Sequence, residues 1–358
     1  MKKLISALLT VAILFTLGTV AFAQEENQTT ISIISANVAG LPIPSAFSDD
    51  GKIVPVYQKL MGKSLNNSGI DVICVQEDFQ FHNILAAQMT NYPYQTYTSG
   101  GVPAGSGVNI FSKYPIYNVE RYSWVAFNGI LDAANDGLTP KGLVKATIDK
   151  DGVLYDVYDL HIDANGSYED CMAKKAQFNE LLAFIEVHSK DRPIIMTGDW
   201  NVTLHGDIAA ELYPILIEGA GYSDAWTLFC NDGVYFTGYL PAETIAEYDK
   251  KFGGYYWGHW DSVERVLFKD GDGTKMTVSD FRYSNYTTDD GAYLSDHAVM
   301  FCELTVDTTD YVRPDAELTI ESKPSVKYRI TDFIEKFFRA LKLIIEDLFR
   351  LYVNKETV

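Results

Sequence analysis

The chain has 358 residues, 47% of them hydrophobic, and a formal net charge of -19. That length and apolar content supply one large core or two ordinary ones and exclude a disordered chain. The charge disfavours tight, sequence-independent binding to polyanions, although a small basic cleft or a bound cation reverses such a field locally.

Lys2 and Lys3, an apolar run from Leu4, and Ala21-Phe22-Ala23 form an export-signal pattern with a small-x-small cleavage site. Residues 1–23 are therefore set apart from the fold, and the mature chain is expected to be secreted or at the cell surface. No second run resembles a spanning helix. Four cysteines are too few for a disulfide scaffold. Cys74 and Cys302 lie in strand-like runs as core thiols, whereas Cys171 and Cys230 lie in polar surroundings and are candidates for one disulfide.

In chain order, residues 31–38 (ISIISANV) predict a strand that ends by presenting Asn37. A proline-containing loop over 41–47 leads to a helix at 52–65, a break at Asn66, Asn67 and Gly69, and a second strand, DVICVQED, that delivers Glu77. A helix is expected over 79–89 and a glycine-rich loop over 92–109. The spacing of those glycines does not match a nucleotide-binding fingerprint. After a strand at 108–111, Tyr122, Trp124 and Phe127 are read as packing residues or pocket lining. Lys141-Gly142 leads into the next strand. VLYDVYDLHIDA alternates as a strand, with Asp159, His161 and Asp163 at two-residue intervals, and a helix over 168–189 follows.

RPIIMTGDWN is a buried strand interrupted by Gly198, with Asp199 and Asn201 delivered together at its end. If strand geometry continues, the two side chains share a face. Gly, Asp and Asn are also ordinary turn residues, so this stretch gains meaning only with the other strand ends. A helix is expected over 207–219, a loop or short strand over 222–229, an aromatic surface excursion over 231–259, and strands at 262–269 and 298–306. Residues 308–329 read as a polar linker with Pro314 and Pro324. Residues 332–353 read as an amphipathic helix for packing on the main domain, docking on a membrane surface or partner, or self-association. Its balanced charges argue against strong attraction to an anionic bilayer.

The strand ends together supply Asn37, Glu77, His161, Asp199, Asn201, Asp296 and His297. Singly, each carboxylate could be a surface group and each histidine a neutral hydrogen-bonded one. The combination suits phosphoester hydrolysis with Mg²⁺ or a similar hard divalent cation. Glu77 is the expected metal ligand, with Asn37 as a neutral ligand or an anchor. Asp199 and Asn201 are expected to hold the nucleophile and the developing equatorial charge. His297 is placed as the base, its tautomer set by Asp296 or another carboxylate, and His161 as a group that stabilises charge and, if protonated, assists the leaving oxygen.

SANV with Asn37, VQED with Glu77, DLHID with His161, TGDWN with Asp199 and Asn201, and SDH with Asp296 and His297 occur in an order that resembles the metal-dependent endonuclease/exonuclease/phosphatase superfamily. In character the chain is most similar to its secreted neutral sphingomyelinases. The resemblance spans residues 37–306 and implies an α/β fold, a four-layer α/β sandwich with two central mixed β-sheets flanked by helices. It implies a catalytic domain over 24–307, followed by a linker at 308–330 and the helix at 331–354. It also implies Mg²⁺ near Glu77, a water-orienting Asp199, phosphate contact by Asn201, and catalytic His161 and His297 with Asp296 supporting the latter. Trp200 stands where the family usually has phenylalanine, and Glu264 where many relatives have aspartate. Asp261 is a possible substitute for that aspartate, and Lys141 a possible phosphate-side residue.

Export, low basicity, the aromatics Tyr255, Tyr256, Trp257 and Trp260, and the terminal helix make a phospholipid phosphodiester such as sphingomyelin the expected substrate, with peripheral membrane contact. An extracellular nuclease acting on DNA, a phosphomonoesterase, and an inactive membrane- or protein-binding module are the alternatives. Oligomeric state is left open.

Overall fold

A strand that is apolar at both odd and even positions must be covered on both faces. The computed structural model shows how, over residues 27–42, 52–130, 136–252, 260–323 and 326–355. In β1 (Gln28–Asn37), Ile31 and Ile33 enter one core while Ile34 and Ala36 enter another. The same division recurs in β7 (Val153–His161), where Tyr155 and Val157 face the first core and Tyr158 and Leu160 a third.

Two six-stranded sheets result. One has the order β11-β12-β1-β2-β4-β3 and the other β5-β6-β7-β8-β10-β9. The first contains β1, β2 (Val72–Gln76), β3 (Tyr94–Gln95), β4 (Asn109–Ser112), β11 (Lys275–Ser284) and β12 (Val299–Asp307). The second contains β5 (Ile116–Ser123), β6 (Gly142–Lys150), β7, β8 (Ile194–Asp199), β9 (Ser223–Asp224) and β10 (Glu264–Lys269). Each sheet has one parallel pair, β1 with β2 and β7 with β8, and antiparallel neighbours elsewhere. Each parallel pair needs a crossover helix. These are α1 (Val54–Asn66), whose Met61 and Leu65 cover the first sheet, and α3 (Tyr168–His188), whose Phe178, Leu181 and Ile185 cover the second. The layers run helix, sheet, sheet, helix, as the resemblance implied.

Local chemistry accounts for several boundaries. Ser167 Oγ accepts from the Asp170 amide and Asp170 accepts from the Ser167 amide, a reciprocal cap that starts α3. The helix expected over 79–89 contracts to α2 (His82–Ala86). The one expected over 207–219 is α4 (Asp207–Pro214), passing at Pro214 into a π-helical turn over Ile215–Gly219. Asp224 accepts from the Thr227 amide at 2.7 Å and starts α5 (Ala225–Cys230), where a loop or short strand was expected. The strands β5 and β11 escape sequence reading because both lie at sheet edges, half exposed, without a continuous apolar run.

Three expectations need correction. Cys171 lies in α3 and Cys230 at the end of α5, and both are free thiols rather than a disulfide. The aromatic excursion contains α6 (Ala242–Phe252), and Trp260 is only 2% exposed, packed with Trp226, Phe236 and Tyr248 rather than offered to a membrane. Tyr255, Tyr256 and Trp257, like the export signal, lie outside the described residues. Residues 313–321 are tied to the second sheet and its surroundings by Arg313 on Asp149, Asn118 on Thr319, and the Tyr97 amide on Glu321. The terminal helix α7 (Val326–Lys355) begins earlier than expected.

Gly198 is required by a close approach. Its φ is +145°, and a Cβ there would lie 1.9 Å from the Leu160 carbonyl oxygen on β7. Gly198→Ala is expected to lower stability by at least about 2 kcal/mol, read from denaturant midpoints. An unchanged midpoint would show that β7 and β8 do not depend on this approach.

Candidate active site

Register places three functional residues side by side at the end of the second sheet. His161 of β7 pairs with Asp199 of β8, and Asp199 pairs with Glu264 of β10. The facing sheet contributes Asn37 from the last position of β1, which pairs with Gln76. One residue later Glu77 leaves the strand with φ +57°, a backbone conformation uncommon for a residue with a Cβ. The loop before β12 adds Asp296 and His297. Ser295 donates to the Asn37 carbonyl at 2.7 Å and accepts from the His297 amide at 3.1 Å, which pins that loop to β1.

Asp199 is the meeting point. Asn37 Nδ2 donates to its Oδ2 at 3.0 Å and to Glu77 Oε1 at 3.1 Å, bridging the two sheets. His161 Nε2 lies 3.4 Å and His297 Nδ1 3.9 Å from the same Oδ2. Burial works against the Asp199 charge, but the two imidazoles, Lys141 and the Asn37 amide outweigh it and hold the carboxyl below its ordinary range. Asn37 therefore stands as an anchor: its nitrogen serves both carboxylates and its Oδ1 accepts from the Ala39 amide.

The partner of His297 is Glu264. His297 Nδ1 lies 2.5 Å from Glu264 Oε1, and Ser262 Oγ bonds the other oxygen of this fully buried carboxylate. Asp296, expected to support His297, is exposed, and its recorded bond comes from Ser295. No hydrogen bond joins Asp296 to His297 among the described contacts, and the Glu264 side chain reaches the imidazole from β10 instead. Burial opposes a charged His297, but Glu264, Asp199 and Asp296 together raise its pKa well above the ordinary value. His161 is the opposite case. Burial and then the Lys141 cation lower it to about 3, so it is neutral at physiological pH and is not a resident acid.

The other expected residues separate. Asn201 does not continue the strand. Its φ is +48°, its amide donates to Asp199 Oδ1 at 2.9 Å, and its side-chain nitrogen donates to the Ile162 carbonyl at 2.9 Å. It braces the Asp199 loop, and the shared-face expectation fails because β8 stops at Asp199. Lys141 sits beside His161, since Gly142 pairs with that residue, and its Nζ is 2.5 Å from Asp136. Burial and then Asp136 push Asp163, in the same corner, up to about 7. Asp261 belongs to a different pair, 3.1 Å from His205, and does not replace Glu264. Trp200 packs edge-on to Phe178 under the second sheet. Trp124, read only as packing or lining, donates Nε1 to the His161 carbonyl at 2.7 Å and fixes that strand end. Nothing in the local sequence signals this contact, because its acceptor lies 37 positions away.

The residues suit a hard divalent cation. Burial raises the pKa of Glu77, and Asp296 and Asp199 add to the effect, although His297 and Asn37 oppose it. Among the described residues no lysine or arginine pairs with Glu77 or Asp296. Crowded carboxylate oxygen without a fixed counter-charge is the donor chemistry of Mg²⁺. The donor atoms of Asp199, Glu264 and His297 also lie within 4.8 Å of one another, a spacing that can hold a cation. Both Glu264 oxygens are already hydrogen-bonded, however, so Glu77 with Asp296 is the freer position.

Residues 34–297 match the Endonuclease/Exonuclease/phosphatase family model. A sphingomyelinase of Mycobacterium tuberculosis is 30% identical over 205 residues, covering 54% of this chain and 38% of its own length. The chain thus spans well under half of the curated relatives it matches. Solved structures share the fold. D. rerio TDP2 complexed with a single-strand DNA product has a TM-score of 0.52 at 17% identity, covering 77% of this chain and 99% of that one. A beta toxin variant from Staphylococcus aureus with bound magnesium ions has a TM-score of 0.51 at 19% identity, covering 76% and 99%.

Proposed function

The chain belongs to the Endonuclease/Exonuclease/phosphatase family, and on that premise we propose that it is a divalent-metal-dependent phosphoesterase acting on a phospholipid headgroup diester of the sphingomyelin type. The observation that carries the chemistry is the meeting of Asn37, Glu77 and His297, from the first sheet and its loops, with His161, Asp199 and Glu264 of the second sheet at one shared end. The likeness to the mycobacterial sphingomyelinase supports the lipid diester. The net charge of -19 weighs against a polyanionic substrate. Export is part of the proposal and is carried by the pattern over residues 2–23 alone.

In this reading water attacks phosphorus, the bond from phosphorus to the lipid alcohol oxygen breaks, and a proton reaches that oxygen. Glu77, with Asp296 at the rim, would hold the cation, which supplies charge withdrawal at a phosphoryl oxygen. Asp199 orients the attacking water from a carboxylate that its neighbours keep ionised. His297 has Nδ1 committed to Glu264, leaving Nε2 to exchange a proton at the reacting centre. Neutral His161 and Lys141 present donors to phosphate oxygens. Asn37 keeps Glu77 and Asp199 in fixed relation.

Purified protein is expected to release phosphocholine from sphingomyelin with Mg²⁺, to stop on chelation, and to recover when Mg²⁺ is restored. Cleavage of DNA without phosphocholine release would make it a nuclease. Hydrolysis of monoesters alone would make it a phosphatase.

A further inference from the structure

Trp260 is buried and does not meet a lipid surface, whereas the terminal helix exposes an apolar face. Resting on the lipid reading above, we infer that α7 is the docking element and that its occupant is a zwitterionic phospholipid bilayer surface. At 100° per residue, Phe333, Ile334, Phe337, Phe338, Leu341 and Ile345 fall in one arc, within a stripe running from Ile330 to Leu348. These six side chains are 40–61% exposed. The helix is buried instead at Ala340 and Asp347, 7% and 4% exposed. It rests on its own domain by a small and polar edge and turns its apolar face outward. That reverses the usual arrangement of a surface helix, and a contiguous stripe of this size marks an interaction face rather than scattered surface leucines.

The choice of occupant follows from breadth, charge and position. Pairs such as Phe333-Ile334 and Phe337-Phe338 widen the stripe beyond the two-in-seven seam of a coiled coil. A second copy would also bring another chain of charge -19 against the first. Along the stripe, from Asp332 to Asp347, three basic and four acidic side chains nearly cancel, while Lys327, Arg329, Arg350 and Lys355 flank it and bring the whole of α7 to seven basic and four acidic, so apolar insertion carries the affinity at the stripe and anionic lipid adds only at its ends. No described helix is long and apolar enough to cross a membrane. The helix also borders the corner that holds Lys141, the cation beside His161. Lys336, Arg339 and Ala340 wall the same recess as Trp124, Lys141 and Asp163, and the Arg339 guanidinium lies 5.9 Å from the Phe127 ring centre. A surface held by α7 is thereby held beside that corner.

Flotation of the full chain with phosphatidylcholine vesicles in chelator tests this, together with hydrolysis of the soluble diester bis(p-nitrophenyl) phosphate in Mg²⁺. The wild type is expected to float, with little change between roughly 0.1 and 1 M salt. Phe333→Ser/Phe337→Ser/Phe338→Ser is expected to weaken partitioning by about tenfold or more. It should leave soluble turnover and the melting temperature unchanged, because all three rings are exposed. Equal flotation of the variant, absence of wild-type flotation, salt-sensitive binding to anionic vesicles only, or a wild-type dimer that the variant converts to monomer would each overturn the assignment. Loss of flotation in the variant with no soluble hydrolysis by either protein would support the docking face and sink the catalytic reading.

Discussion

Replacing His297 by asparagine is expected to cut turnover about 10²- to 10⁴-fold while the fold survives. The choice of asparagine follows from the geometry. Removing the ring outright would strand the Glu264 carboxylate, which is fully buried and 2.5 Å from Nδ1, and an uncompensated buried charge is strongly destabilising. The asparagine amide keeps a donor near the Nδ1 position and deletes only Nε2, the atom assigned to proton exchange. The His297 side chain is 19% exposed, so little core packing is lost. Asparagine supplies the donor but not the imidazolium charge beside Glu264 and Asp199, so the melting temperature is expected to fall below wild type, and turnover compared well below the unfolding range should show the loss in kcat. Retention of more than about a third of wild-type turnover would remove His297 from proton transfer.

The second large effect concerns Glu77. Glu77→Gln keeps the shape and the acceptor for Asn37, so the bridge to Asp199 persists, but it removes the charge a cation needs. Mg²⁺ binding by titration calorimetry is expected to weaken by about 100-fold or more, with activity falling in parallel at fixed Mg²⁺. The melting temperature in chelator should not fall. Burial, Asp296 and Asp199 all disfavour the Glu77 charge, so neutralising it removes a cost of the metal-free fold. The rise in melting temperature that Mg²⁺ gives the wild type should be lost. A variant that binds Mg²⁺ like the wild type would move the cation to the Asp199, Glu264 and His297 position, where donor atoms also converge.

Much of the architecture was legible because central strands leave a plain mark. ISIISANV and VLYDVYDLH are apolar on both faces because each is covered by the other sheet on one side and helices on the other. Edge strands leave no such mark. In β11 most side chains are exposed or half exposed and apolar and polar types are mixed on both faces, so no continuous apolar run announces it. α5 was missed for another reason: its start depends on the Asp224 cap, and six residues are too few to show a helical period.

By itself the sequence determined that polar residues stand at the ends of buried strands, that glycine precedes Asp199, and that the terminal segment is an amphipathic helix. These are consequences of neighbours along the chain, since strand and helix periods are set within a few residues. Only the tertiary structure decided who meets whom. Asn37 and Asp199 are 162 positions apart and bridge two sheets; Glu264 lies 33 positions from His297 yet takes the place expected for adjacent Asp296. It also decided that Trp260 goes inward and the Phe333, Phe337 and Phe338 face goes outward. Side-chain hydrogen bonds are short and directional, so their partners depend on sheet register and on the packing of one layer against another. Neither is written in any local stretch of residues.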